Sequence, residues 1–448
     1  MTNLSEQTDW IGDVFTSDVG WDLLEDLVDV GNRMAGQPGE REGLELVRDA
    51  LAAAGCRDAR IDEFDIQGWE RGESRLYAGT HPERTIALPR SPAGEVSGEL
   101  VDLGYGVPAD FEETDVEGKV VMVSSDTPDD VDRFIHRTEK YYYAVDNGAA
   151  AFVFRNHVEG CLPPTGSVGT DDDPIGDIPA VGVSAEVGSR LARRSDGDEV
   201  TVTVECATPE TTSGNAMAEL GPDTDEEVIV SSHVDAHDIA EGAMDNGAGT
   251  ASIVEVANAL AKMEDELDTR VRFIAYGSEE VGLVGSSVEA DRVDRDAIKA
   301  IVNVDSNVFG RTLSLSTHGF DDLTAAAERL ESRFDHPVST DEGQVPHSDH
   351  WPFVVHGVPG FMVAGETDGR GRGWGHTEAD TLEKLEGRNL REQAILLTAL
   401  VADVADGDTT VARRDPSEIA AALENEDKAT GMKVIGDWPY DDDGNVAE

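Results

Sequence analysis

From residue 227 to residue 406 short apolar runs alternate with stretches of helical periodicity, and that alternation admits few folds. The runs EVIVSSHVD (227–235), VRFIAYGSEE (271–280), AIVNVDSN (300–307), TLSLST (312–317) and PGFMVAG (359–365) read as strands. Between them GTASIVEVANALAKM (249–263) and DDLTAAAERLESRF (321–334) place apolar residues at helical spacing, and NLREQAILLTALVADVAD (389–406) closes the series. Strands this apolar are buried on both faces, so helices must layer on the sheet; the class is α/β. Upstream, Leu23, Leu24, Leu27, Val28 and Val30 lie near one face of a helix that stops at Gly31 and Gly36. A second helix runs from about Glu40 to Ala54 and ends at Gly55.

The stretch 84–210 changes character. Short β-like runs, VVMVSS (120–125) and AAFVF (150–154), sit among Gly, Pro and Asp turns, and IPAVGVSAEVGSRLARR (178–194) follows. This predicts a small β-rich domain inserted into the larger one. The expected division is 1–83 and 211–408 for the main domain, 84–210 for the insertion and 409–448 for an acidic C-terminal extension. In that extension PSEIAAALEN (416–425) reads as a helix and DWPYDDDGNVAE (437–448) as a frayed end.

Charge excludes whole classes of partner. Of 448 residues, 93 are Asp or Glu and 35 Lys or Arg, a net charge of −58. A nucleic-acid binder clusters basic residues, and an anionic membrane would repel this surface. The acidity is spread along the chain and only seven positions are Lys. Such self-repulsion is relieved in molar salt, where the Debye length falls to about 3 Å, so the composition reads as that of a halophile's protein. No run reaches the roughly 18 apolar residues of a membrane helix, and the N-terminus lacks the pattern of a secretory signal. Three widely spaced cysteines, Cys56, Cys161 and Cys206, read as reduced thiols and a cytoplasmic home.

The polar clusters fall where strands end, which is where open α/β sheets build their sites. His233 closes a strand and Asp235 follows it, placed to orient the imidazole. Asp245 follows a Gly-rich turn; its two oxygens could bridge two cations, although an Asp before a helix is also an ordinary cap. Glu279 and Glu280 are adjacent carboxylates at a strand end, a repulsive pair that bound cations would compensate. One of them can ligate while the other serves as general base. Asp305 ends another apolar strand, and His376 lies in the loop GWGHTEADT (373–381). Imidazole and carboxylate without thiolate suit zinc, with cobalt or manganese as possible substitutes. His237 and His318 read as bystanders.

The order and spacing of these pieces resemble the di-zinc exopeptidases of peptidase clan MH, which include leucyl aminopeptidases, aminopeptidase Y and glutamate carboxypeptidase II. The matching motifs are His-x-Asp at 233–235, GAMDNGAG at 242–249, AYGSEEVGLVGS at 275–286, IVNVDSN at 301–307, SDHWPFVVHGVP at 348–359 and HTEADTLEKL at 376–385. NRMAGQPGEREGLELVRDAL at 32–51 resembles the family's N-terminal helical segment, and 84–210 resembles a protease-associated domain. The resemblance implies a three-layer zinc-exopeptidase fold with a mixed sheet. It implies one zinc on His233, Asp245 and Asp305, and a second on Asp245, Glu280 and His376. Glu279 would be the general base, Asp235 would orient His233, and the Asp245–Asn246 peptide would be cis. The implied substrate is a peptide with a free terminus, cleaved at its N-terminus. The alternatives are a carboxypeptidase or dipeptidase, or a non-catalytic binding module. The insertion is expected to edge the site and add no chemistry. One departure stands out: many relatives carry a Tyr just before the last zinc-binding His, where this chain has Gly375. His347 and His350 are the candidate replacements as oxyanion donors.

Overall fold

The structure, a computed structural model, describes residues 8–366, 373–441 and 443–447. The first seven residues of the stretch read as lacking a signal lie outside the described residues. Two eight-stranded sheets organise the chain.

The main sheet takes its strands in the spatial order 57–67, 210–220, 270–276, 227–233, 298–304, 360–365, 313–316, 338–341. Glu227–His233 runs parallel to both neighbours, and Ile298–Val304 runs parallel to Gly360–Gly365. Antiparallel pairs flank this parallel centre on both sides. Every residue of Glu227–His233 and Ile298–Val304 is buried, and the polar Ser231 and Asn303 among them bond to each other. Helix Ala248–Ala261 is apolar on nearly every face and lies inside the core, with helices Pro38–Ala54, Asp321–Phe334 and Gly387–Val404 packed nearby. This is the expected mixed α/β architecture. Each of the parallel central strands delivers its C-terminal end to one edge of the sheet, and there the polar residues gather.

The second sheet runs in the order 82–83, 70–77, 199–207, 94–102, 120–124, 151–155, 180–183, 86–87. Its four strands from Gly94–Asp102 to Ala180–Val183 are parallel; helices Pro108–Glu113 and Arg137–Asp146 link the first three, and helix Ala185–Arg194 leads from the fourth to the antiparallel strand Glu199–Ala207. The unit is therefore a mixed sheet with helices, richer in helix than its turn-laden sequence predicts. It also takes in Glu70–Tyr77, upstream of residue 84.

The described residues of the C-terminal stretch are held in place rather than frayed. A further helix spans Lys428–Ile435, and Tyr440 is buried with its hydroxyl donating to the carbonyl of Val355. Tyr440 also pairs with Val446 in an isolated bridge. The acidic sequence obscured two anchors, Trp438 and Tyr440, that pack on the main core. The extension also reaches the second sheet's unit. Asp427 meets Arg133, which is itself paired with buried Glu139. Among the described residues no helix is long and apolar enough to cross a membrane.

Candidate metal centre

His233, Asp245 and Asp305 bring their ligating atoms within 4.8 Å of one another, and so do His237, Glu280 and His376. The two groups meet at Asp245. One of its carboxylate oxygens lies 3.4 Å from His233 Nε2 and the other 3.4 Å from His376 Nε2. His376 Nε2 is also 3.2 Å from Glu280. The structure thus brings together all five residues expected to face a metal, and the Asp245–Asn246 peptide is cis.

Backbone geometry aims these side chains. Ser278 and Ser306, beside Glu279 and Asp305, and His376 itself all adopt positive φ (61°, 62° and 55°). Non-glycine residues in that region cost energy and are held by their surroundings, commonly at functional sites. Here the holders are visible. Asn246 accepts the N–H of Ser306 and donates to the carbonyl of Val304. Thr165 of the second sheet's unit donates its N–H to the carbonyl of His376.

Carboxylates behind the front rank fix the loops. Asp235 accepts the N–H groups of both Glu279 and Glu280 at 3.0 and 3.1 Å. Its own carbonyl oxygen is the nearer partner of His233 Nδ1, at 3.1 Å, against 3.5 Å to its carboxylate. Asp235 therefore orients His233 in part through its backbone and positions the glutamate pair through its side chain. Asp380 accepts the N–H groups of Met244 and Asp245. Ser348 donates to Asp305 and accepts from Asn303.

The adjacent glutamates are driven apart in acidity. Burial raises the Glu279 carboxyl well above the usual range, and Glu280, Asp349 and Asp305 reinforce this while His233 opposes it. Burial opposes the charge of Glu280 as well, yet His237 and His376 hold its carboxyl well below that range. Two neighbouring carboxyls set to opposite tendencies are the mark of one proton carrier and one permanent anion. A cation fits the space between these groups: His233 Nε2 and Glu280 Oε1 are buried without a hydrogen bond, a condition native proteins avoid.

His347 and His350 are not brought to this cluster. His350 is fully buried with its Nε2 3.0 Å from His318 Nε2, and His318 Nδ1 donates to the carbonyl of Gly360. His347 is exposed and stacks on His136 at 4.7 Å. Nε2 of His350 is thereby committed to a core hydrogen bond, and the ring of His347 packs on the neighbouring unit.

Sequence reasoning missed Arg33. It is buried and donates to the carbonyls of Leu27, Val234, Glu241 and Gly242. One guanidinium thus ties an N-terminal helix to both ends of the loop between His233 and Asp245. Burial lowers its pKa to about 10, which leaves it charged. Arg33→Met should strand four carbonyls, each costing about 1–3 kcal/mol. The expected result is a loss of at least about 3 kcal/mol of stability with weaker metal retention, measured by thermal melting and zinc content. Wild-type melting in this variant would refute the assignment.

Residues 215–401 match the family model described as Peptidase family M28, and residues 96–191 match that of the PA domain. Aminopeptidase YwaD of Bacillus subtilis is 28% identical over 393 residues, covering 83% of this chain and 81% of its own. Leucine aminopeptidase 2 of Trichophyton rubrum is 28% identical over 347 residues, covering 73% and 67%. Among solved structures, an aminopeptidase from Aneurinibacillus sp. strain AM-1 aligns with a TM-score of 0.68 at 26% identity, over 91% of this chain and 98% of that one. BSAP, a zinc aminopeptidase from Bacillus subtilis, shares the fold with a TM-score of 0.70 at 23% identity, over 89% and 98%. The strand-end carboxylates and imidazoles, the shared fold and the matched segments agree: residues 215–401 are similar to peptidase family M28, and residues 96–191 are similar to a PA domain.

Proposed function

We propose that this protein is a di-zinc aminopeptidase that removes N-terminal residues from peptides. The observation that carries the reading is Asp245, set between two groups of ligating atoms with the proton-prone Glu279 alongside. His233 and Asp305 would share one zinc with Asp245, and Glu280 and His376 the other. A donor set of imidazole and carboxylate supports the metal, and the aminopeptidases among the relatives support the substrate class. Zinc, when bound, supplies Lewis acidity and makes water a nucleophile near neutral pH. The chain's own residues do the rest. Glu279, held by the N–H···O bond to Asp235, accepts a proton from the attacking water. It then delivers that proton to the leaving amine, so the base is regenerated and one peptide bond is exchanged for an acid and an amine.

The domain division supported by the sheets draws the insertion from about residue 68 to 209, wider than 84–210, because Glu70–Tyr77 belongs to the second sheet. Arg71 to Asp238, Arg84 to Glu378 and Thr165 to His376 would make the insertion a brace for the site's loops. The net charge of −58 supports a working environment of molar salt, and the spaced cysteines a cytoplasmic one.

The test is one unblocked peptide and its N-acetylated twin, each incubated with the protein and zinc in molar KCl and read by mass spectrometry. Stepwise N-terminal shortening of the free peptide alone is the expected result. Shortening from the C-terminus would move the function to a carboxypeptidase. No cleavage by folded, zinc-loaded protein would remove the peptidase reading.

A further inference from the structure

His237 is expected from sequence to be a bystander, but the fold does not leave it as one. Its Nε2 lies 3.0 Å from Glu280 Oε2, the same oxygen that His376 Nε2 approaches at 3.2 Å. The two imidazoles meet edge to face with centroids 4.4 Å apart. His237 lines one small cavity with Gly242, Asp245, Glu280, His376 and Asp380. It is buried, its Nε2 faces only the shared Glu280 oxygen, and its Nδ1 has no hydrogen-bond partner. A buried imidazole in that condition needs a partner of another kind.

Its placement is enforced from both sides. The N–H of Ala236 bonds to the carbonyl of Arg33. Asp238 is clamped by Arg71 of the inserted unit at 2.6 and 2.8 Å. The residue between them is thereby turned inward, toward Glu280 and His376.

We propose that His237 is a metal ligand, its Nε2 binding the same cation as Glu280 and His376. This rests on the two-metal site proposed above. It makes the two positions unequal: one imidazole and two carboxylates surround the cation at Asp305, whereas two imidazoles face the cation at Glu280. Nitrogen-rich sites favour zinc, cobalt or nickel over manganese and magnesium. The position at Glu280 should therefore hold zinc against manganese, and the position at Asp305 should be the one that exchanges. The competing role is a hydrogen bond to Glu280 without metal contact; its removal would weaken binding about 10–100-fold and leave the donor set unchanged.

The experiment uses the full chain in molar KCl as wild type, His237→Ala and His237→Phe. Zinc is counted by mass spectrometry, affinity is measured by chelator competition, and X-ray absorption counts the imidazoles bound to zinc. The expected wild-type result is two zinc ions holding three imidazoles between them. Both variants should keep the zinc at Asp305 with wild-type affinity, lose more than 100-fold in affinity at Glu280, and drop to two imidazoles when zinc-saturated, with unchanged melting of the metal-free form. A wild-type count of two imidazoles on two zinc ions overturns the proposal, whatever the variants do. Two zinc ions bound by folded variants with wild-type affinity also overturn it. A wild type that takes up fewer than two zinc ions overturns the two-metal reading and this proposal with it.

Discussion

Replacing Glu279 by Gln is expected to lower peptide hydrolysis by about 10²–10⁴-fold while zinc content stays at the wild-type level. The amide keeps the side chain's shape but cannot take a proton. The ligating groups His233, Asp245, Glu280, Asp305 and His376 are untouched, as is the Asp235 carboxylate that holds the 279–280 backbone. The neighbouring change should read differently. Glu280 sits against two imidazoles as a permanent anion, so Glu280→Gln should release a metal as well as activity. Steady-state rates paired with zinc analysis separate the two. Near-wild-type turnover by Glu279→Gln would sink the assignment of the base, and zinc loss from that variant would recast Glu279 as a ligand.

The parts of this site that were legible in the sequence are those attached to strand ends. A strand end has a periodic apolar signature before it, so His233, Glu279, Glu280 and Asp305 could be placed in space from pattern alone. Asp245 and His376 come from loops and were reachable only through the spacing of whole motifs. The supporting residues were not legible. Arg33 acts by bonding backbone carbonyls, and carbonyls carry no sequence signal. Glu40, buried behind the glutamate pair and accepting from Ser213 and Ser278, looks in sequence like any first-turn helical acid. His237 is set apart from His318 by its surroundings: His318 bonds to Gly360 and His350, whereas His237 faces Glu280 beside an Asp238 held by Arg71, far off in the chain. Gly375 fails for the opposite reason. A missing Tyr is easy to see, but the histidines nearest in motif, His347 and His350, had already been committed by packing to His136 and His318. The C-terminal end shows the same limit: two aromatic anchors outweighed a run of acidic residues.

Removal of the metals should abolish activity and destabilise the protein more at pH 8 than at pH 6. In the metal-free protein burial raises the carboxyl of Glu40 to about 8 and those of Asp349 and Asp380 to about 7. A carboxyl whose pKa is higher folded than unfolded binds more protons in the folded state. Its stabilising contribution is complete below its unfolded pKa near 4 and is lost as pH rises toward 7–8. His233 acts in the same sense: burial opposes its charge, but Glu279 and its other carboxylate neighbours push its pKa well above the ordinary value. These groups should therefore weaken the metal-free protein as pH rises from 6 to 8. Cations reverse the trend, because they require the deprotonated carboxylates and neutral imidazoles that rising pH supplies. Free zinc at 1,000 times its Kd contributes about 4 kcal/mol per ion. At about 2.1 cal/mol/K per residue a chain of 448 residues moves in Tm by about 1 °C per kcal/mol, so loss of two ions should lower Tm by about 8 °C at pH 8. The measurement is a pair of melts at each pH in molar KCl, with zinc and with a strong chelator, followed by zinc addition to restore activity. The zinc-minus-chelator difference cancels the general effect of pH on a chain of net charge −58. A difference equal at the two pH values, or larger at pH 6, would mean that the buried carboxyls are not coupled to the metals.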